Sequence, residues 1–464
     1  MRIRSQTGRS RVRFATVVTV LLVSASGLAG CSGSAETPTS TGSGPSSSSS
    51  EPVTLVVATG QAPWNPAYAV LVKAYEDATG NTVDLRAFPN PDIKTQEVND
   101  VQGQQHVFDV YQINESDIAQ FNSNGWLDPF TNIDPSYTPD PEIFSYSNIG
   151  RWDTSTETFS KDGLMTSAPL LGNVDIFMYR TDIYDQLGLQ VPKTWDDVIA
   201  NGKAIAQAGA AKYGGVFRTQ GIPGAYGMSY EAQALLNGAG ASWFKDLGVD
   251  FTPTADTPAA IQAATWLRQL AELGPAATTT IGQAEVIAAM QSGEAAQTYA
   301  VAAAASQLED PSKSSVVGKI GYAPLPTTPS GEASSATALW VLGVPAGLPD
   351  NRARAALDYI NWMTSKEAMT LFAQNGGIPT RSDAYDVSGL SPAQMQTLAT
   401  VEETASKLPE VPTTPRYTFS GDMFNITETE LGGIAAGTST PQDGMKAIQQ
   451  QLTDLVASLK LPVS

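Results

Sequence analysis

The chain has 464 residues, a formal net charge of −19, one cysteine and one histidine. So few of these residues exclude an internal disulfide framework and a transition-metal centre built from thiolates and imidazoles. The acidic excess disfavours nucleic acid and anionic lipid as partners and favours a neutral or cationic solute, while the length suits two lobes better than one ordinary core.

At the N-terminus, Arg2, Arg4, Arg9, Arg11 and Arg13 precede an apolar stretch from Phe14 to Leu28. That stretch is shorter than the roughly 20 residues a membrane-spanning helix needs, so 1–30 is predicted to be a signal peptide that is cut off. Leu28-Ala29-Gly30-Cys31 resembles the bacterial lipobox, which implies that Cys31 accepts a diacylglycerol and becomes the acylated N-terminus. From Ser32 to Ser50 every residue except Ala35 and Glu36 is Ser, Thr, Gly or Pro. Such a stretch cannot bury enough apolar surface to fold, and 31–51 reads as an acylated cysteine on a disordered leash. Two acyl chains anchor far better than one, so the expected location is the outer face of the bacterial cytoplasmic membrane.

Beyond the leash, the continuous apolar run at 54–59 predicts a buried strand, and 66–79 a helix that opens at Asn65-Pro66 and closes at Gly80. Strands at 83–88 and 108–113 follow, with helical sequence between them, as a parallel sheet requires. Late in the chain, Ala353, Ala356, Leu357, Ile360 and Met363 form one helical stripe, and Met445, Ile448, Leu452, Leu455, Val456 and Leu459 another.

Catalytic signatures are thin. His106 stands alone before a strand and reads as structural, and the adjacent Asp196 and Asp197 read as the acidic start of a helix rather than as a catalytic pair. No nucleotide-binding, zinc-protease or nucleophile-elbow motif is present. No enzyme activity, cofactor or metal is expected.

Several stretches, in order, resemble the extracellular sugar-binding lipoproteins of ABC importers, of the maltose- and trehalose-binding type. They include "FDVYQINESDIAQFNSNGWLDPF" (108–130), "APLLGNVDIFMYRTDIYDQLGLQVPKTWDDVIANGKAI" (168–205), "IGYAPLPTTPSGEASSATALWVLGVP" (320–345) and "TPRYTFSGDMFNITETELGGIAAGTSTPQDGMKAIQQQL" (414–452). The resemblance implies an α/β, periplasmic-binding-protein-like fold of two α/β lobes, joined by crossing hinge strands with a ligand cleft between them. On this reading lobe I comprises 52–171 and 301–345, and lobe II 172–300 and 346–464. Function then needs only closure of the lobes over a solute, delivered afterwards to the permease subunits of the importer by a monomeric receptor.

A sugar pocket needs aromatic faces for C–H surfaces and planar polar groups for hydroxyls. Trp64 and Asn65 follow the first strand, where loops of such sheets face ligands. Asn114 matches the family's pocket polar residue, usually an Asp, with Glu115 and Asp117 as neighbours able to substitute. The resemblance also implicates Asn173 in the crossing segment, Glu231 at a helix start, Trp340 where the family often has Gly-Gly-Trp, and Arg416 as a residue closing over the ligand. Tyr299 replaces a frequent Trp near the second crossing, and Gly377 could let backbone approach a ligand or merely close a helix. The expected function is capture of a neutral di- or oligosaccharide or polyol. The alternatives are a receptor for a peptide or amine-bearing solute, a surface-anchored glycoside hydrolase lacking an identifiable acid pair, and a purely structural lipoprotein.

Overall fold

The computed structural model describes residues 52–464 apart from 225, 247, 277–278 and 409–411. The expected signal peptide, Cys31 and the leash lie outside the described residues.

Strand β1 (Thr54–Gly60) runs parallel to β2 (Thr82–Phe88), in register from Thr54 opposite Thr82 to Gly60 opposite Phe88. Helix α1 (Asn65–Thr79) makes the crossover; Pro66 opens it and Gly80, at φ +76°, closes it in the left-handed conformation that glycine adopts without strain. After α2 (Asn90–Gln102), β3 (Tyr111–Asn114) follows, and Val110 just before it bridges to Val57 in parallel. A second group of strands in this half has the order β3-β8-β4, with β8 (Trp340–Gly343) antiparallel to both β3 and β4 (Ser167–Leu171). Although β5 (Asp175–Arg180) follows β4 after three residues, it is the centre of a different sheet, between β6 (Gln297–Val301) and β7 (Ile320–Ala323). The link Gly172–Val174 therefore crosses from one half of the molecule to the other.

Two large cores flank the sheet of β5, β6 and β7, which gives Met178, Val301 and Tyr322 to the first and Phe177, Tyr299 and Ala323 to the second. Leu55, Val57, Tyr68, Leu71, Leu342, Ile360 and Phe372 belong to one; Trp195, Val198, Leu235, Leu267, Met423, Ile448 and Leu452 belong to the other. Each such side chain taken from water is worth about 1.5–3 kcal/mol, so each half holds together by its own burial. The predicted stripes face these cores, except that Leu459 at the chain's last turn stays exposed. Among the helices of the second half are α3 (Trp195–Ala208), α4 (Gly227–Gly238) and α5 (Pro258–Ala271). Asp197 serves α3 as the far half of a capping box with Thr194, and Asp196 accepts a hydrogen bond from the Trp266 indole at 2.9 Å. Both acids are structural.

The C-terminal segment departs from the expected division. Within 346–464, α6 (Asp350–Met363) and α7 (Lys366–Gln374) pack on α1 of the first half, whereas α8 (Pro392–Ser406) packs on β7, in the sheet centred on β5. Only α9 (Ser420–Ala436) and α10 (Pro441–Leu459) pack on α4 and α5. The aliphatic stripe of α6 explains the difference, because it is buried beside Leu71 and Tyr68, and Tyr359 meets the Tyr68 hydroxyl at 2.8 Å.

Candidate functional site

Between the halves the chain forms a belt of backbone hydrogen bonds. Ala302 N–H donates to the Val174 carbonyl at 2.8 Å, Ala338 N–H to Asn173 at 2.9 Å, and Asp175 N–H to Ala336 at 3.2 Å. Asn173 is fully buried here. Its Oδ1 accepts from the Ala303 N–H at 3.1 Å, and its Nδ2 has no partner among the described residues. Gly172 is fixed by close approach, since a Cβ there would meet the Tyr146 hydroxyl and stand 2.5 Å from the Pro379 carbonyl oxygen.

Glu115 and Arg416 tie the belt together. Both are buried, with Arg416 Nη2 2.9 Å from Glu115 Oε2, and the carboxylate also accepts from Thr337 Oγ1 and the Leu339 N–H at 2.9 Å each. Arg416 Nη1 donates to the Tyr146 carbonyl at 2.6 Å. Burial pushes the Glu115 carboxyl up, opposed by the Arg416 charge and these donors. Every arm of the two side chains is occupied, so they brace the belt rather than present free groups to a solute.

Beside the belt lies a small cavity of about 40 Å³ that takes its walls from both halves. The first half supplies Ile93, Lys94 and Glu97 from α2, Asn114 and Asp117, and Trp340; the second supplies Arg218, Gly224, Tyr226 and Tyr230. Trp340 stands opposite Asn114 in the β8–β3 pairing, and its ring meets that of Trp64 at 5.5 Å and 53°. Trp340 lines the cavity, and Trp64, 276 positions away, backs its ring from within the first core. Asn114 Oδ1 accepts from the Tyr230 hydroxyl at 2.6 Å, which links the halves across the cavity. A second link joins the Tyr226 hydroxyl to Asp117, whose other partner is Lys94 Nζ at 2.6 Å. Burial raises the Asp117 carboxyl, with Lys94 opposing it.

The remaining expected residues are differently placed. Glu231 turns beneath the cavity wall, where its Oε1 accepts the Arg218 N–H at 3.1 Å and its Oε2 lies 4.0 Å from the guanidinium. Desolvation lifts its pKa to about 8, with Arg218 pulling it back. Tyr299 sits in the second core, against Trp195 and Phe217, with its hydroxyl on the Glu231 carbonyl at 2.9 Å. Asn65 folds back to accept from the Ala62 N–H at 2.5 Å. Gly377 is packed under the Phe372 ring and lines a separate space with Ser306, Gln394 and Leu398. Tyr299 and Gly377 are therefore corrections to the expected pocket: one faces a core by strand alternation, the other ends α7 on a different surface.

Lys94, Glu97, Arg218, Tyr226 and Tyr230 escaped the sequence reading. The signal was present for two of them, because Lys94 and Glu97 lie one turn apart on a single helix face. A second, larger space of about 730 Å³ adjoins the belt by Thr337 and Arg416, lined by the rings of Phe144, Tyr146 and Tyr385, and shares no lining residue with the first.

The sequence pattern described as bacterial extracellular solute-binding protein matches residues 60–370. The chain is 25 % identical over 374 residues to the mannitol-binding protein of Pseudomonas aeruginosa, covering 76 % of this chain and 81 % of that protein. It is 22 % identical over 338 residues to the erythritol/L-threitol-binding protein of Mycolicibacterium smegmatis, covering 70 % of each. An ABC transporter solute-binding protein from Agrobacterium radiobacter, solved in complex with ribitol, matches it in fold with a TM-score of 0.76 at 20 % identity, over 87 % of this chain and 100 % of that one.

Proposed function

The chain belongs to the bacterial extracellular solute-binding proteins, and from that premise we propose that it captures a neutral sugar or sugar alcohol between its two lobes for an ABC importer. The observation that carries this reading is the cavity whose polar walls come from both halves beside the Trp340 ring, which Trp64 backs. Asn114, Asp117, Lys94, Arg218, Tyr226 and Tyr230 suit hydroxyl groups, and the indole faces suit C–H surfaces. The names of the relatives, which bind mannitol, erythritol and L-threitol, support a polyol.

At about 40 Å³ the cavity holds little more than water, whereas small-ligand pockets run to about 300 Å³ or more. Admission of a solute therefore requires the lobes to part about the belt, and capture is their closing on it around a larger space than the cavity described here. Trp64, Asn114, Asp117 and Trp340 act from one lobe, with Tyr226, Tyr230 and Arg218 from the other. No bond is made or broken. Cys31 would carry the lipid that holds the protein on the outer face of the membrane, within reach of the permease, and the folded part would work as a monomer.

The test is a thermal-shift panel of mannitol, sorbitol, ribitol, erythritol, maltose and trehalose. A ligand at 100 times its Kd should add about 2.7 kcal/mol of stability. At least one compound should stabilise the protein and be recovered intact. A response to peptides alone, or release of cleaved sugar, would refute the reading.

A further inference from the structure

The carboxylates around the cavity differ in whether a cation answers them. Asp117 has Lys94 at 2.6 Å, Glu115 has Arg416 at 2.9 Å, and Glu231 has Arg218 at 4.0 Å, which also acts on Asp175. Glu97 has none of these. It is 1 % exposed, lines the cavity, and accepts the backbone N–H of Gln112, yet its Oε1 has no hydrogen-bond partner among the described residues. The two nearby cations are held elsewhere, Lys94 by Asp117 and Arg218 by Gln283 Oε1 at 2.6 Å as well as by Glu231. Glu428 also has a free buried oxygen, but it packs between α4 and α9 on the Ser229 N–H and does not line the cavity.

A buried carboxyl oxygen without a donor is costly, and a ligand that supplies the donor recovers that cost. A hydroxyl brings one hydrogen bond. An ammonium brings three donors and the compensating charge, and its hydrogen bonds to a carboxylate are roughly twice as strong as neutral ones. From the free Glu97 oxygen in a cavity whose cations are already paired, we infer that the preferred ligand is a sugar or sugar alcohol bearing an ammonium group, which Glu97 receives. This deepens the capture reading above and rests on it. Until a cation arrives, burial, together with the charges of Asp117 and Asp100, holds the Glu97 carboxyl well above the usual range.

Calorimetry on the full chain in detergent, with matched pairs, decides the matter: sorbitol against 1-amino-1-deoxysorbitol, and glucose against glucosamine. The wild type should bind one amine about tenfold or more tightly than its neutral partner, the difference expected of a charge-assisted hydrogen bond. Glu97→Gln, which keeps size and removes charge, should bring the amine-to-neutral affinity ratio to about one whatever it does to the neutral compound, with the variant's melting temperature reporting that it is folded. Equal or weaker binding of both amines by the wild type would overturn the inference and leave polyol capture standing. An amine preference that survives Glu97→Gln, or equal loss of both compounds in that variant, would also overturn it. Failure of every sugar and polyol to bind would instead remove the capture reading itself, and this inference with it.

Discussion

Of two spaces that adjoin the belt, the one over Trp340 is small and lined by charged groups, at about 40 Å³, and the one beside Tyr146 is large and aromatic, at about 730 Å³. The small space is spanned from half to half by Tyr230 on Asn114 and Tyr226 on Asp117. The large space is lined by belt residues, a loop at 144–148 and α8. The two spaces thus lie on either side of the Glu115–Arg416 pair, one reached by Asn114 and Asp117, the other by Thr337 and Arg416 itself.

The comparison breaks most severely at that pair. Arg416→Ala leaves Glu115 buried without its cation, which should lower the unfolding free energy by about 3–5 kcal/mol in urea titration. A loss below about 1 kcal/mol would mean that the pair does not brace the belt. Gly172→Ala should have a smaller effect, about 1–3 kcal/mol, because the new methyl must displace Tyr146 toward the large space or strain the backbone. Melting temperature and ligand affinity should fall together, and an unchanged pair of values would show that the crossing has room to spare.

A gentler probe is pH. Burial raises Glu231 from 4.5 to about 8 and Asp175 from 3.8 to about 7. Between the unfolded and folded values the folded state holds more protons than the unfolded state, so the stability these groups contribute is complete below about pH 4 and is lost progressively as pH rises to 7 and 8. Asp250, lowered from 3.8 by Ser464 and Thr252, acts in the opposite sense and only in more acidic solution. Melting temperature should therefore decline from pH 5 to pH 8, and Glu231→Gln should flatten the decline. An identical slope in that variant would assign the effect to other groups.

Much of the architecture was legible because it rests on local periodicity. The alternation of β1, α1 and β2 and the stripe of α6 follow from apolar spacing and from Pro and Gly at element ends, whereas the crossing after β4 was expected from the family resemblance alone. The division of 346–464 was not legible, since an aliphatic stripe states that a helix is buried but not against which lobe. The same limit governs the site. Glu231 was expected at the cavity, but its neighbour Tyr230 lines it; one residue on a helix turns the side chain by about 100°, and only the packing of α4 fixes which of the two faces inward. Strand alternation likewise sends Tyr299 to the second core. Trp64 and Trp340 meet because β3 pairs with β8, a register that no local pattern records.

Small-angle scattering of the protein with and without a solute that stabilises it tests the central claim most directly. The account predicts that the unliganded protein samples parted lobes and that saturation lowers the radius of gyration as the lobes close on the solute. A profile unchanged by a saturating, stabilising solute would contradict capture by lobe closure.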